Sequence, residues 1–200
     1  MSQSIEITFK SSILDKPRRL IIDPGYLEFD DYEPPTRFEK NEIIAFRCGL
    51  KWIQGYQFII GRVYIVEVLS SDKRIIKIRL KSLYGVNKGI LHQKFVTIVD
   101  ALADNYFDDI SRSYLEKFDR NEPIKVEDVF FNTEGISWNK NMQIIKWDDV
   151  GTKTYQTYYS IFSKSNPSIY KTFTYLSDWN TEVIYSVSRG ILKGKGLYTE

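Results

Sequence analysis

The sequence predicts a mainly β, α+β chain made of two successive units, each a bent antiparallel barrel or sheet capped by one C-terminal helix. Three observations predict it. Short apolar runs, several of them alternating, are separated by turn signals, as in an antiparallel meander. The period turns helical twice, over Ile90–Phe118 and Trp179–Leu192, each time after such a meander. Aromatic residues make up 15% of the 200, which suits pleated, half-buried surfaces.

The first unit is expected over residues 1–121. Ile5, Ile7 and Phe9 alternate with Glu6, Thr8 and Lys10, a strand with one wet face. Leu14–Pro17 is a turn before Arg19–Ile22, and Asp23-Pro24-Gly25 turns the chain into Tyr26–Phe29. Prolines make Glu33–Thr36 a loop. Apolar runs then cover Ile43–Phe46 with Leu50–Ile53, Tyr56–Leu69 and Ile75–Leu83, broken at Gln54-Gly55 and at Ser70–Lys73. From Ile90, Leu91, Phe95, Ile98, Leu102 and Tyr106 form one helical stripe. Thirty residues is long for a globular helix, so either a break near Asn105–Asp109 or a helix joining two domains is expected. Pro123 places the linker at Asp119–Pro123.

The second unit is expected over residues 122–200 and reads as shorter. Val126–Phe131 and Ile136–Trp138 make a hairpin around Asn132–Gly135, followed by Ile144–Trp147, Thr152–Phe162 and Ile169–Leu176. Ser177 is a fitting N-cap for a helix whose stripe is Val183, Ile184, Val187, Ile191 and Leu192. Two segments align between the units. Gly25–Phe29 matches Glu134–Trp138, and Phe38–Ile43 matches Ile145–Val150, with an apolar residue at each end of the second pair.

The net charge of +2 announces neither a nucleic-acid nor a membrane partner, and no nucleic-acid partner is expected. Residues 122–200 carry nine Lys/Arg and nine Asp/Glu, so the positive excess lies in the first half. A lone Cys48 allows no internal disulfide, and Met1–Lys10 has no apolar leader core; a cytoplasmic location is the expectation.

This order of strands and helices resembles the pleckstrin-homology-like (PH-like) superfold, a bent barrel of about seven strands capped by a C-terminal helix. The chain resembles bacterial proteins with two such modules in tandem. Trp179, near the start of the last helix, is similar to the helical tryptophan of many PH domains. The resemblance implies a binding or adaptor protein rather than an enzyme, recognising a protein or an anionic ligand such as a lipid headgroup, with no cofactor.

Catalytic constellations are missing. One His and one Cys are too few for a zinc site or a Cys/His pair, and His92 reads as a solvent-edge residue. The pairs Asp30-Asp31, Asp108-Asp109 and Asp148-Asp149 suit turns better than an acid/base dyad. Three surfaces are candidate sites. Lys10, Lys16, Arg18 and Arg19 bracket the first inter-strand loop, where the family's phosphoinositide-binding members carry a similar basic pattern, and could hold a phosphate. Lys77, Arg79 and Lys81 line the outer face of one strand, either to meet an anionic surface or to guard an edge. Trp147, Tyr155 and Tyr158 form an aromatic set, either a recognition surface or barrel filling. Two alternatives stand beside the adaptor reading: a scaffold or homodimer through an open edge at Thr152–Phe162, and a carrier of a small hydrophobic ligand.

Overall fold

A computed structural model describes residues 3–10, 16–138 and 144–198. The chain divides into two compact units, Met1–Phe107 and Asp108–Glu200. It is mainly β, with four antiparallel sheets and a C-terminal helix.

In the first unit β1 (Ile5–Phe9), β2 (Arg18–Ile22), β3 (Tyr26–Phe29) and β4 (Thr36–Glu39) form a four-stranded meander. One turn of 3-10 helix, Lys40–Glu42, leads into β5 (Ile43–Gly55), β6 (Phe58–Ser70) and β7 (Ile75–Leu83), a three-stranded meander. The period-two pattern sets which side faces in. Along β7, Ile76, Ile78 and Leu80 are buried while Lys77, Arg79 and Lys81 are exposed. From the first sheet Leu20, Ile22, Leu27 and Phe38 are fully buried as well.

Helix α1 (Lys88–Leu102) contacts β2, β6 and β7, touching both sheets. Its stripe is the one the periodicity predicts: Ile98 and Leu102 are fully buried, and Phe95 packs its ring 5.1 Å from that of Tyr64 in β6. The helix does not break near Asn105. It relaxes into a π-turn over Ala103–Phe107 and continues as α2 (Asp108–Asp119). One extra residue in the turn lets Asn105, Tyr106 and Phe107 all be buried in succession. Phe107 stacks on Phe46 at 3.6 Å, and the Tyr106 hydroxyl donates to the carbonyls of Asp23 (2.7 Å) and Tyr26 (2.6 Å). The division between the units falls after this π-turn, ahead of the Asp119–Pro123 segment expected as the linker.

The second unit has more strands than its sequence suggests. Val126–Phe131 is not one strand: β8 (Ile124–Val126) and β9 (Val129–Phe131) form a hairpin on a Glu127-Asp128 turn. Glu127 supplies the positive φ that Gly or Asn usually provides, so the turn lacks its common signal. β10 (Gly135–Ser137) and β11 (Ile145–Lys146) complete a four-stranded sheet. A 3-10 turn, Trp147–Asp149, leads to β12 (Val150–Thr154), β13 (Tyr158–Ser163) and β14 (Tyr170–Thr174), then to α3 (Thr181–Gly194). After α2, the second unit repeats the order of the first: four strands, a 3-10 turn, three strands and a helix. Among the described residues no sheet closes into a barrel. Thr152–Phe162, expected as an open edge, spans two strands of a hairpin. Its second half lies in β13, which is paired on both sides.

Helix α3 buries the predicted stripe against the sheet, where the Tyr185 ring meets that of Tyr159 edge-on at 5.3 Å. It also packs on α2, closely enough that a Cβ on Gly190 would lie 2.9 Å from the Leu115 side chain.

Leu102→Ala should lower unfolding free energy by about 2–5 kcal/mol, because it empties a fully buried site. Tyr32→Ser, at a side chain 77% exposed, should stay within about 0.5 kcal/mol; urea unfolding of both variants checks the contrast.

Candidate functional site

The three sets of residues singled out from sequence come to different ends. Lys10 and Lys16 are exposed, but the loop between them, residues 11–15, lies outside the described residues. Arg18 is exposed at the start of β2. Arg19 is engaged: its guanidinium lies 3.6 Å from Glu28 and 3.9 Å from Asp30. Glu28 also pairs with Arg37 at 3.8 Å, and Arg37 sits 3.7 Å over the Tyr26 ring. These are cross-strand neighbours on the outer face of the first sheet, and they satisfy one another.

The basic row on β7 is similarly divided. Lys77 lies 3.8 Å from Glu67, which Arg47 also holds at 2.6 Å, so one carboxylate is shared by its neighbours on the flanking strands. Arg79 and Lys81 are exposed and have no ion-pair partner among the described residues.

The aromatic set is not a surface as a whole. Trp147 is only 4% exposed. Its indole N–H donates to the Asn132 carbonyl at 2.9 Å, and its ring lies parallel to Phe131 and edge-on to Phe118. Trp147 is core because the 3-10 turn rotates it inward, a turn whose sequence reads like a strand end. Tyr155 and Tyr158 do lie at the surface. They stack on each other at 4.4 Å across the end of the β12–β13 hairpin.

A different surface gathers most of the exposed apolar side chains. Of eleven large apolar residues exposed among those described, seven fall between Trp52 and Ile90. Strands β5 and β6 are 13 residues each, whereas their counterparts β12 and β13 have five and six. Burial along β6 is continuous only near and beyond Tyr64, where Phe95 covers it. The half before Tyr64 carries Phe58, 73% exposed, and Ile59. The turn at its tip carries Tyr56, fully exposed, and the turn after β7 carries Tyr84, 78% exposed, and Val86. Between them is a recess of about 360 Å³ lined by Trp52, Phe58, Ile59, Arg62, Tyr84 and Lys88, among others.

Backbone geometry marks the same place. Tyr56 and Tyr84 hold φ values of 53° and 50°, the left-handed region that costs a non-glycine residue about 1–2 kcal/mol. Tyr84 N–H donates to the Ile60 carbonyl at 2.7 Å, and Ser82 Oγ donates to the Val86 carbonyl at 2.9 Å. Those bonds fix the second turn against the hairpin. At Gly61 a Cβ would fall 2.4 Å from the Ser82 carbonyl, so glycine is required where β7 crosses it.

The electrostatics are one-sided. No Asp or Glu occurs between Glu42 and Glu67 or between Asp72 and Asp100. Arg62 lies 4.6 Å over the Trp52 ring and, with Lys51, Lys81 and Lys88, has no carboxylate partner among the described residues. Sequence reading took these residues as ordinary strand and turn positions. Two signals could have found them: aromatic residues around the Gln54-Gly55 turn, and two acid-free stretches separated by only a short segment.

Acidic groups elsewhere hold turns. Asp72 is kept down at about 2, chiefly by the Ser70 hydroxyl and then by the Arg74 side chain and N–H. Asp149 is lowered by the Ser163 hydroxyl (2.5 Å), with further help from the N–H (2.7 Å) and hydroxyl of Ser165. Asp30 and Asp31 accept the N–H groups of Arg19 and Thr36. His92 is exposed, and Cys48 is buried and in no disulfide. Among the described residues no three of His, Cys, Asp and Glu come together to hold a metal ion, and no helix is long and apolar enough to cross a membrane.

No protein-family model matches the chain, and no curated protein matches it.

Because Asp72 and Asp149 titrate lower in the folded chain, their stabilisation is present above about pH 4 and lost as pH falls through the lowered values. Asp72→Asn should therefore make the urea midpoint less dependent on pH between about 5 and 2. An unchanged slope would remove Asp72 as a contributor.

Proposed function

We propose that this chain is a non-enzymatic binding protein of two PH-like units, and that it recognises its partner through the end of the β5–β6 hairpin in the first unit. The PH-like reading is supported by the order of four strands, three strands and a helix in each unit. A helix stripe that reaches both sheets of the first unit supports it further.

The observation that carries the recognition surface is the surplus length of β5 and β6. The second unit completes the same element order with strands less than half as long. The extra residues of the first unit add little burial, and they keep Tyr56, Phe58, Ile59 and Tyr84 in water. Isolated exposed apolar residues are ordinary, but a cluster rimmed by cations is the composition of an interface. The recess walls offer no nucleophile with a base beside it and no carboxylate pair, so binding is the chemistry they support.

The partner is a protein or an anionic ligand. A homodimer through a sheet edge has less support, since the expected edge is mostly a paired strand. A hydrophobic carrier has less too, because the recess is shallow and open and the four sheets close no continuous barrel.

A photo-crosslinking residue at position 56 of the full chain should give a few discrete adducts in a lysate of its own cells. The same residue at Tyr170 should give none, and adding Phe58→Ser with Tyr84→Ser should abolish the adducts at 56. Equal labelling from both positions would contradict the assignment.

A further inference from the structure

We infer that the partner at this surface is an acidic peptide segment of another protein, anchored in the recess by one large apolar side chain, with Arg62 reading a carboxylate beside the anchor. The inference rests on the proposal that the β5–β6 end is the recognition surface.

Charge complementarity sets the sign of the occupant. Arg62 and Lys88 line the recess, no acidic residue is among its lining, and no Asp or Glu occurs between Glu42 and Glu67 or between Asp72 and Asp100. Two cations at one recess without a carboxylate repel one another, and an acidic segment relieves that repulsion while gaining charge-assisted hydrogen bonds. Elsewhere on the same sheet cations do find a carboxylate: Arg47 and Lys77 share Glu67.

Shape sets the class. The space between Phe58 and Tyr84 is concave, with Arg62 in its wall and Lys88 at its rim. Arg62 lies 4.6 Å over the Trp52 ring, and a guanidinium carries paired parallel N–H donors. That fork fits a carboxylate, while the apolar recess beside it fits a Leu, Phe or Trp side chain. A bilayer would meet the exposed tyrosines at the tips and leave the recess unfilled. A segment chain fills both. The Tyr84 N–H bond to the Ile60 carbonyl and the Ser82 hydroxyl bond to the Val86 carbonyl fix the Tyr84 wall against the hairpin before binding, so less ordering remains to be done there.

Selection of displayed random 12-residue peptides on the immobilised full chain tests this. Enriched sequences should carry Asp or Glu next to a large apolar residue, bind at least tenfold more weakly to Arg62→Gln, and weaken as salt rises. Arg62→Glu should shift the selection towards Lys and Arg. Phe58→Ser, with an unchanged thermal midpoint, should lose the apolar anchor preference. No enrichment, or enriched peptides without acidic excess, would overturn the inference. So would equal affinity for Arg62→Gln. Vesicles of phosphatidylcholine with phosphatidylserine form a separate arm. Flotation with them that Phe58→Ser abolishes, without peptide selection, overturns the peptide and leaves the surface standing. Peptides or vesicles that bind the Phe58→Ser, Tyr84→Ser chain unchanged overturn the surface itself.

Discussion

A helix can plug only as much sheet as its apolar stripe reaches, and the rest of the first unit follows from that constraint. Thirteen residues of strand extend roughly 40 Å. The buried part of the α1 stripe ends towards the chain start near Phe95, and that ring meets β6 at Tyr64. Everything on the hairpin beyond Tyr64 must find its own cover or remain wet. Trp52 takes partial cover from Arg62; Tyr56, Phe58 and Ile59 take almost none. In the second unit the same constraint is met by stopping early. The hairpin ends at Tyr155 and Tyr158, which cover each other.

The core of each unit and the exposed end differ in what covers their side chains. Inside, the Tyr106 hydroxyl serves two backbone carbonyls and burial holds its phenol well above the usual value, while the buried Tyr64 and Tyr159 hydroxyls have no hydrogen-bond partner among the described residues. Tyr159 is pushed up to about 12 by burial, with the Ser188 and Thr152 hydroxyls beside it acting in the other direction. At the exposed end Arg62 and Lys88 have no carboxylate partner among the described residues, and the Tyr56, Phe58 and Tyr84 rings are uncovered. Stability does not ask for either. A surface that keeps both has the composition of an interface, which is what supports the proposed recognition role.

Much of the architecture was legible because period and burial agree. The alternation in Ile75–Leu83 placed Lys77, Arg79 and Lys81 outside, and the helical spacing of Ile98 and Leu102 placed them in the core. The aligned segments Phe38–Ile43 and Ile145–Val150 both prove to be a strand, a 3-10 turn and the start of the next strand. What escaped reading has local causes. Glu127 turns the β8–β9 hairpin without Gly or Asn, so two strands looked like one. A single turn of 3-10 helix carries no period, so nothing told that Trp147 points inward. The exposed end escaped because Phe58, Ile59 and Val63 look like a buried strand; composition cannot say that no helix reaches them. The aromatic residues around the Gln54-Gly55 turn and the missing carboxylates were its signals.

Replacing Gln54–Ile60 by Asn-Gly leaves Ile53 and Gly61, paired in the native hairpin, on either side of a two-residue turn. Thermal unfolding of this shortened chain addresses the account at its root. A cooperative transition with a midpoint lowered by no more than about 5 °C is the predicted result, since the removed residues bury little. A chain that no longer folds would mean that the hairpin end belongs to the core, and that its rings are exposed for no purpose beyond the fold.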